Sequence, residues 1–179
     1  MRKSFLLAAA AVFAGIGGIA LAQAAAGQPS VTIEGKTISV KSTGASMKGR
    51  KIFGSVVPFG QVWRIGDAAP AAFHTDTDLV FMGFMVPKGD YTLYVLPADA
   101  TKWQLIVNKA TGPKALTYDQ KQDVGRVAMK MSAAPAPIET CRISVVKSAA
   151  MAARIEVAWE NTIAQVSFHL DRVGGNSEW

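Results

Sequence analysis

Apolar and polar residues alternate with a period of two along most of this chain, and that pattern leaves room for little but a β fold. Val31 and Ile33 alternate with Thr32 and Glu34, and after a turn signal at Gly35-Lys36, Ile38 and Val40 alternate with Ser39 and Lys41. Tyr91, Leu93 and Val95 alternate with Thr92, Tyr94 and Leu96, a composition that suits burial on both faces. Trp103, Leu105 and Val107 share a face, as do Val127, Met129 and Met131, then Cys141, Ile143 and Val145. Ile155, Val157 and Trp159 oppose Arg154, Glu156 and Glu160, and Val166, Phe168 and Leu170 oppose Gln165, Ser167 and His169. Turn clusters separate the runs at Pro87 to Asp90, Pro97 to Asp99, Gly112-Pro113 and Ala133 to Pro137. Roughly eight to ten short strands with turns between them predict one antiparallel β-sandwich or jelly-roll-like domain. No capped helical period accompanies them, apart from one expected helical turn within Thr117 to Asp123.

The chain opens differently. Arg2 and Lys3 precede an apolar run from Phe5 to Leu21, and Ala20-Leu21-Ala22 sets small residues at the −3 and −1 positions of a cleavage site. Residues 1–22 therefore read as a secretory signal peptide cut near Ala22, with Ala24-Ala25-Ala26 offering a second site. The glycine-bearing run is marginal for spanning a bilayer, so no transmembrane helix is expected in the mature protein. Residues 23–29 read as a short disordered lead, 30–173 as the domain and 174–179 as a flexible tail. The expected address is periplasmic or secreted, by the general secretory route, since no twin-arginine pair is present.

Removing the signal changes the charge. The whole chain carries a formal +6; the 157 residues after Ala22 hold 17 basic against 13 acidic side chains, a net +4. The basic residues are scattered, without the concentrated face that nucleic-acid binding needs. A single cysteine excludes an intramolecular disulfide, and two histidines exclude a three-histidine metal site. Cys141 lies on the apolar face of its strand, where a thiol behaves as a small hydrophobe.

Three stretches are candidates for function. Phe59 to Gly66 sets Trp63 beside Arg64 between glycines, a possible stacking platform next to a fork for a carboxylate or phosphate, or else a core plug and a structural clamp. His74, Asp76 and Asp78 fall on one face of an extended strand; they are weak metal candidates and the basis of a hydrolase alternative. Leu79 to Val86 has no polar residue, and reads either as buried strands hinged at Gly83 or as an exposed hairpin whose Met82, Phe84 and Met85 meet a partner. No nucleophile–base or paired-acid constellation is visible and no cofactor is expected, so binding is preferred over catalysis.

Several blocks together resemble one family. Gly49-Arg50-Lys51-Ile52-Phe53-Gly54 and Val57-Pro58-Phe59-Gly60-Gln61-Val62-Trp63-Arg64-Ile65-Gly66 are similar to the hallmark of the exported bacterial family catalogued as domain of unknown function twenty-nine-eleven. The resemblance continues through Val86 to Leu93, Trp103 to Lys109, Tyr118 to Arg126, and Ala158-Trp159-Glu160-Asn161-Thr162, covering about residues 30–170. It implies an exported, β-rich protein without an established activity. Two departures stand out. Asp67-Ala68-Ala69-Pro70-Ala71 occupies the place of the family's Asn-Glu-Ala-Thr-like run, leaving Asp67 as a possible substitute, and Met82-Gly83-Phe84-Met85 replaces a more polar turn. The expected pocket is lined by Trp63 and Arg64, supported by Arg50, Tyr91, Trp159 and Asn161, and takes a small molecule or a cell-envelope partner.

Overall fold

A computed structural model describes residues 29–171. The proposed signal, most of the lead and the tail lie outside the described residues.

Among the described residues, ten strands form one open antiparallel sheet. In chain order they are β1 (Ser30–Ile33), β2 (Lys36–Lys41), β3 (Trp63–Arg64), β4 (Ala71–Thr75), β5 (Leu79–Phe81), β6 (Phe84–Val86), β7 (Gly89–Pro97), β8 (Trp103–Asn108), β9 (Asp123–Ala149) and β10 (Ala152–Leu170). The spatial order is β1-β2-β4-β7-β8-β9-β10-β5-β6, with β3 paired to β7. The antiparallel all-β expectation therefore holds.

The sheet becomes two-layered through β9. Its residues Asp123 to Met129 pair with β8, and Lys130 to Ala149 pair with β10. Beyond that handover the sheet folds back, so that β1 and β2 contact β9 and β6 contacts β9. Ile38, Val40 and Phe73 from one side share a continuous buried core with Ile143, Val145, Ile155 and Val157 from the other. This is the sandwich-like solution for a sheet with one apolar face.

Local details differ from the sequence expectation for physical reasons. The first hairpin turns on Glu34 and Gly35, with φ of 49° and 71°, and Lys36 already belongs to β2. Positive φ at both turn residues matches the twist of the flanking strands. The Ala133 to Pro137 cluster does not separate two strands; it lies inside β9. Between the pairs Glu160–Ile138 and Thr162–Ala133, β10 advances two residues while β9 advances five. Pro135 and Pro137 have no N–H to donate and are accommodated in this bulge. The expected helical turn is a 3-10 segment at Gln120–Gln122, and a second one occupies Gly112–Leu116.

β10 changes phase partway along. Ile155, Val157 and Trp159 are buried at odd positions, then Ala164, Val166, Phe168 and Leu170 at even positions. Glu160 supplies the shift, with φ of 53° beside two register breaks.

A polar network ties the connection between β8 and β9 to the sheet. Asn108 is fully buried, and its Nδ2 donates to Asp119 O at 2.9 Å and to Asp123 Oδ1 at 2.8 Å. Tyr118 Oη donates to Asp123 Oδ2 at 2.6 Å, and Arg126 Nε donates to the same oxygen at 2.9 Å. Burial, with the Asp123 carboxylate behind it, pushes the Tyr118 phenol up to about 12.

Candidate functional site

The Gly49 to Gly66 segment builds one wall of an open pocket of about 400 Å³. Its path is fixed by backbone bonds. Gly54 N–H donates to Val57 O at 2.9 Å, Val57 N–H donates to Ile52 O at 2.9 Å, and Gly60 N–H donates to Pro97 O at 2.8 Å. Gly66 sits at φ 118°, and a Cβ there would stand 2.3 Å from Ala69 O, so this corner admits glycine alone. Asp67 N–H then donates to Thr43 O at 2.9 Å.

Four aromatic rings meet beneath the pocket. Trp63 and Trp159 are stacked, with centroids 5.7 Å apart and planes 19° apart. Phe53 packs edge-on against Trp103 at 4.5 Å and against Trp63 and Trp159 at 6.1 Å each. Trp159 is buried and its Nε1 donates to Glu139 O at 3.2 Å, whereas Trp63 is half-buried and faces the pocket. Trp63 packs on the core with one side and lines the pocket with the other.

The cations follow. Arg64 Nη2 donates to Asp67 O at 3.2 Å; Arg50 donates from Nε to Met47 O at 3.0 Å and from Nη2 to Ser46 O at 3.2 Å. Among the described residues neither guanidinium has a carboxylate within ion-pair distance. Arg50, Arg64, Trp63 and Trp159 line this pocket together, with Gln61 and Asp67. Such a set offers two forks for an anion beside an indole face.

Tyr91 and Asn161 are not at this pocket. Tyr91 lies near the start of β7, where its Oη donates to Pro87 O at 2.8 Å, and burial raises its pKa. Asn161 is exposed beside the β10 bulge. Its neighbour Glu160 matters more. Glu160 Oε1 accepts Ile52 N–H at 3.4 Å and Oε2 accepts Phe53 N–H at 3.3 Å, so the Trp-Glu-Asn-Thr block clamps the Gly-Arg-x-Ile-Phe-Gly loop.

His74 keeps one expected partner, Asp76, and meets Asp90 in place of Asp78. β4 ends at Thr75, so Asp76 and Asp78 sit in the following turn and not on one strand face with His74. His74 Nδ1 meets Asp90 Oδ1 at 2.7 Å and Nε2 meets Asp76 Oδ1 at 3.0 Å. Asp78 accepts Lys88 N–H at 2.7 Å instead. The hydrogen bonds to Asp76 and then Asp90 raise the His74 pKa above 6.5, and the His74 bond lowers that of Asp76. Asp90 was invisible as a partner in the sequence because only the β4–β7 register sets it opposite His74. Among the described residues, no group of three or more His, Cys, Asp or Glu side chains is placed to hold a metal ion.

Leu79 to Val86 forms the hairpin β5–β6 at one end of the sheet, turning at Met82 and Gly83. Leu79, Phe81 and Val86 are buried, while Met82 is 85% exposed and Met85 48%. Phe84 stacks on Phe81 at 5.2 Å and lies over Gly125, where a Cβ would come within 2.4 Å of its ring. The hairpin is therefore core on one side and exposed methionine on the other. Cys141 is buried, and that burial pushes its thiol up to about 12.

Fold and pocket together define a sandwich-like antiparallel β protein with an arginine–tryptophan pocket. The chain belongs to the family described as protein of unknown function (DUF2911), whose model matches residues 24–168. No curated protein and no solved structure matches it significantly. Among the described residues, no helix is long and apolar enough to cross a membrane.

Proposed function

We propose that this is an exported binding protein that holds a small anionic ligand with a flat apolar face in the Trp63–Arg64 pocket. The observation that carries this reading is the pair of guanidiniums, Arg50 and Arg64, lining one pocket with Trp63 while neither is ion-paired among the described residues. An anion entering there gains charge-assisted hydrogen bonds, and its apolar body gains the indole face. Export is supported by the basic start, the apolar run and the small residues at Ala20 and Ala22.

Tryptophan fluorescence titrated with sodium benzoate, against benzyl alcohol as the uncharged control, tests it. Benzoate is expected to saturate the signal and benzyl alcohol to bind at least about tenfold more weakly. Arg64→Ala is expected to remove the preference for the anion. An Arg64→Ala protein with unchanged benzoate affinity and unchanged stability overturns the assignment.

A second reading, docking through the β5–β6 hairpin, is favoured by the exposure of Met82 in its turn and Met85 on β6. Its test is liposome binding after Met82 and Met85 are changed to Ser, and unchanged binding removes it. The hydrolase alternative on His74, Asp76 and Asp78 has less support, because Asp78 is engaged elsewhere and both ring nitrogens of His74 meet carboxylate oxygens.

A further inference from the structure

A second cleft, of about 690 Å³, lies over the outer face of β2, β4 and β7. That is within the size range of small-ligand sites. Its floor is two cross-strand rows: Ser39, His74 and Asp90, then Lys41, Ala72 and Thr92. Two separate segments wall it, Ala68 to Pro70 and Thr111 to Leu116. Leu116 is 52% exposed at the wall, an apolar side chain left outside the core. The second wall is held in place from behind, since Tyr94 Oη donates to Ala115 O at 2.6 Å.

The charges on this floor have opposite signs and stand apart. Lys41 belongs to β2 and makes no ion pair among the described residues. Asp90 belongs to β7, with β4 between them. Two strand spacings across, and the two-residue step between the two rows, separate their backbones by about 12 Å, a gap that the long Lys41 side chain shortens. His74 stands between them but is already occupied on both ring nitrogens. It engages Asp90 through Oδ1, while the Asp90 side chain remains 76% exposed. The cleft thus offers an anion at one corner, a cation at the other, Ala72 on the floor between them and apolar residues on its walls.

We propose that this cleft binds a short zwitterionic peptide with apolar side chains, its α-ammonium on Asp90 and its α-carboxylate toward Lys41. An extended tripeptide covers about 10 Å, whereas a single amino acid cannot reach both charges. Ala72, Pro70, Pro113 and Leu116 supply contact for its side chains. This site is separate from the Trp63–Arg64 pocket and does not depend on that pocket's ligand.

The probe is the tripeptide Ala-Leu-Ala, with its N-acetylated and C-amidated forms, titrated into the protein while the histidine ring resonances are followed. The chain has two histidines, and His169 is exposed on β10, outside the cleft. The free tripeptide is expected to shift the His74 resonances saturably and leave those of His169 in place. Blocking either end is expected to weaken binding about fivefold or more. Lys41→Gln is expected to weaken the free peptide while leaving the amidated one unchanged, and Asp90→Asn to weaken the free peptide while leaving the acetylated one unchanged. No His74 shift with the free tripeptide, or equal binding of the free and doubly blocked forms, overturns the proposal.

Discussion

The carboxylate of Glu160 accepts the backbone N–H of Phe53 at 3.3 Å, joining the bulge of β10 to the loop that forms the arginine–tryptophan pocket. The residue sits at φ 53°, a conformation that costs a side-chain-bearing residue energy and persists where surrounding contacts fix it. Glu160→Ala removes the acceptor for both Ile52 and Phe53, and an expected loss of about 1–3 kcal/mol follows from the stranded N–H groups. Urea denaturation measures it. Near-UV circular dichroism of the Trp63–Trp159 stack should weaken in parallel, while Glu160→Gln, which keeps one acceptor oxygen, falls between.

Phe84 and Gly125 form a second such contact, and it is purely steric. A Cβ at Gly125 would meet the Phe84 ring at 2.4 Å. Gly125→Ala is expected to destabilise by about 1–3 kcal/mol through overpacking. In a Phe84→Ala background the same change should cost much less, so a double-mutant cycle reports a coupling of about 0.5–3 kcal/mol. Met82→Ser, at a position 85% exposed, should stay within about 0.5 kcal/mol of the parent.

The His74 cluster gives a pH dependence with a definite sign. Its pKa is raised above 6.5 by Asp76 and Asp90, so its stabilising contribution is complete below 6.5 and is lost as pH rises through the folded value. Asp76 is lowered from 3.8, chiefly by the His74 hydrogen bond, so its contribution is present above 3.8 and is lost as pH falls through the folded value. The melting temperature of the parent should therefore exceed that of His74→Gln most clearly between about pH 4 and 6.5. A constant difference from pH 4 to 9 contradicts the charge-assisted pairing.

Cys141 is 4% exposed with its thiol pushed up to about 12 by burial. A disulfide-exchange reagent at pH 8 should leave it unlabelled in the native protein and label it fully in urea. Fast native labelling would contradict the buried placement.

The sequence was most informative where periodicity and burial agree. Cys141, Ile143 and Val145 are all buried, as are Trp103, Leu105 and Val107. The opposite phases of the two β10 runs were already visible in the alternation, but their cause was not. A left-handed Glu160 leaves no compositional signal, because tertiary contacts with Ile52 and Phe53 hold it. The Ala133 to Pro137 cluster misled for a related reason: proline marks a turn locally, yet a bulge in a long strand tolerates it equally. Trp63 and Arg64 stand out by their chemistry, Arg50 and Trp159 by the family resemblance of their blocks, and all four line one pocket. Tyr91 and Asn161 were drawn in by the same blocks, although β7 and the bulge carry them elsewhere. Asp90 and Lys41 were missed because register alone makes them neighbours of His74 and Ala72.

The handover along β9 has a consequence for how the chain reaches its native state. One strand serves both layers, and β10 returns to pair with β5, so neither layer has all its partners while the other is unformed. A ribosome-bound chain lacking β10 leaves β5 without its neighbour and the shared core open. Folding should therefore be a single late event that waits for residues near Leu170, slow because a decisive pairing, Leu170 with Leu79, spans about half of the sequence. Truncation before β10 should yield no stable fragment, and unfolding of the whole should proceed in one cooperative step.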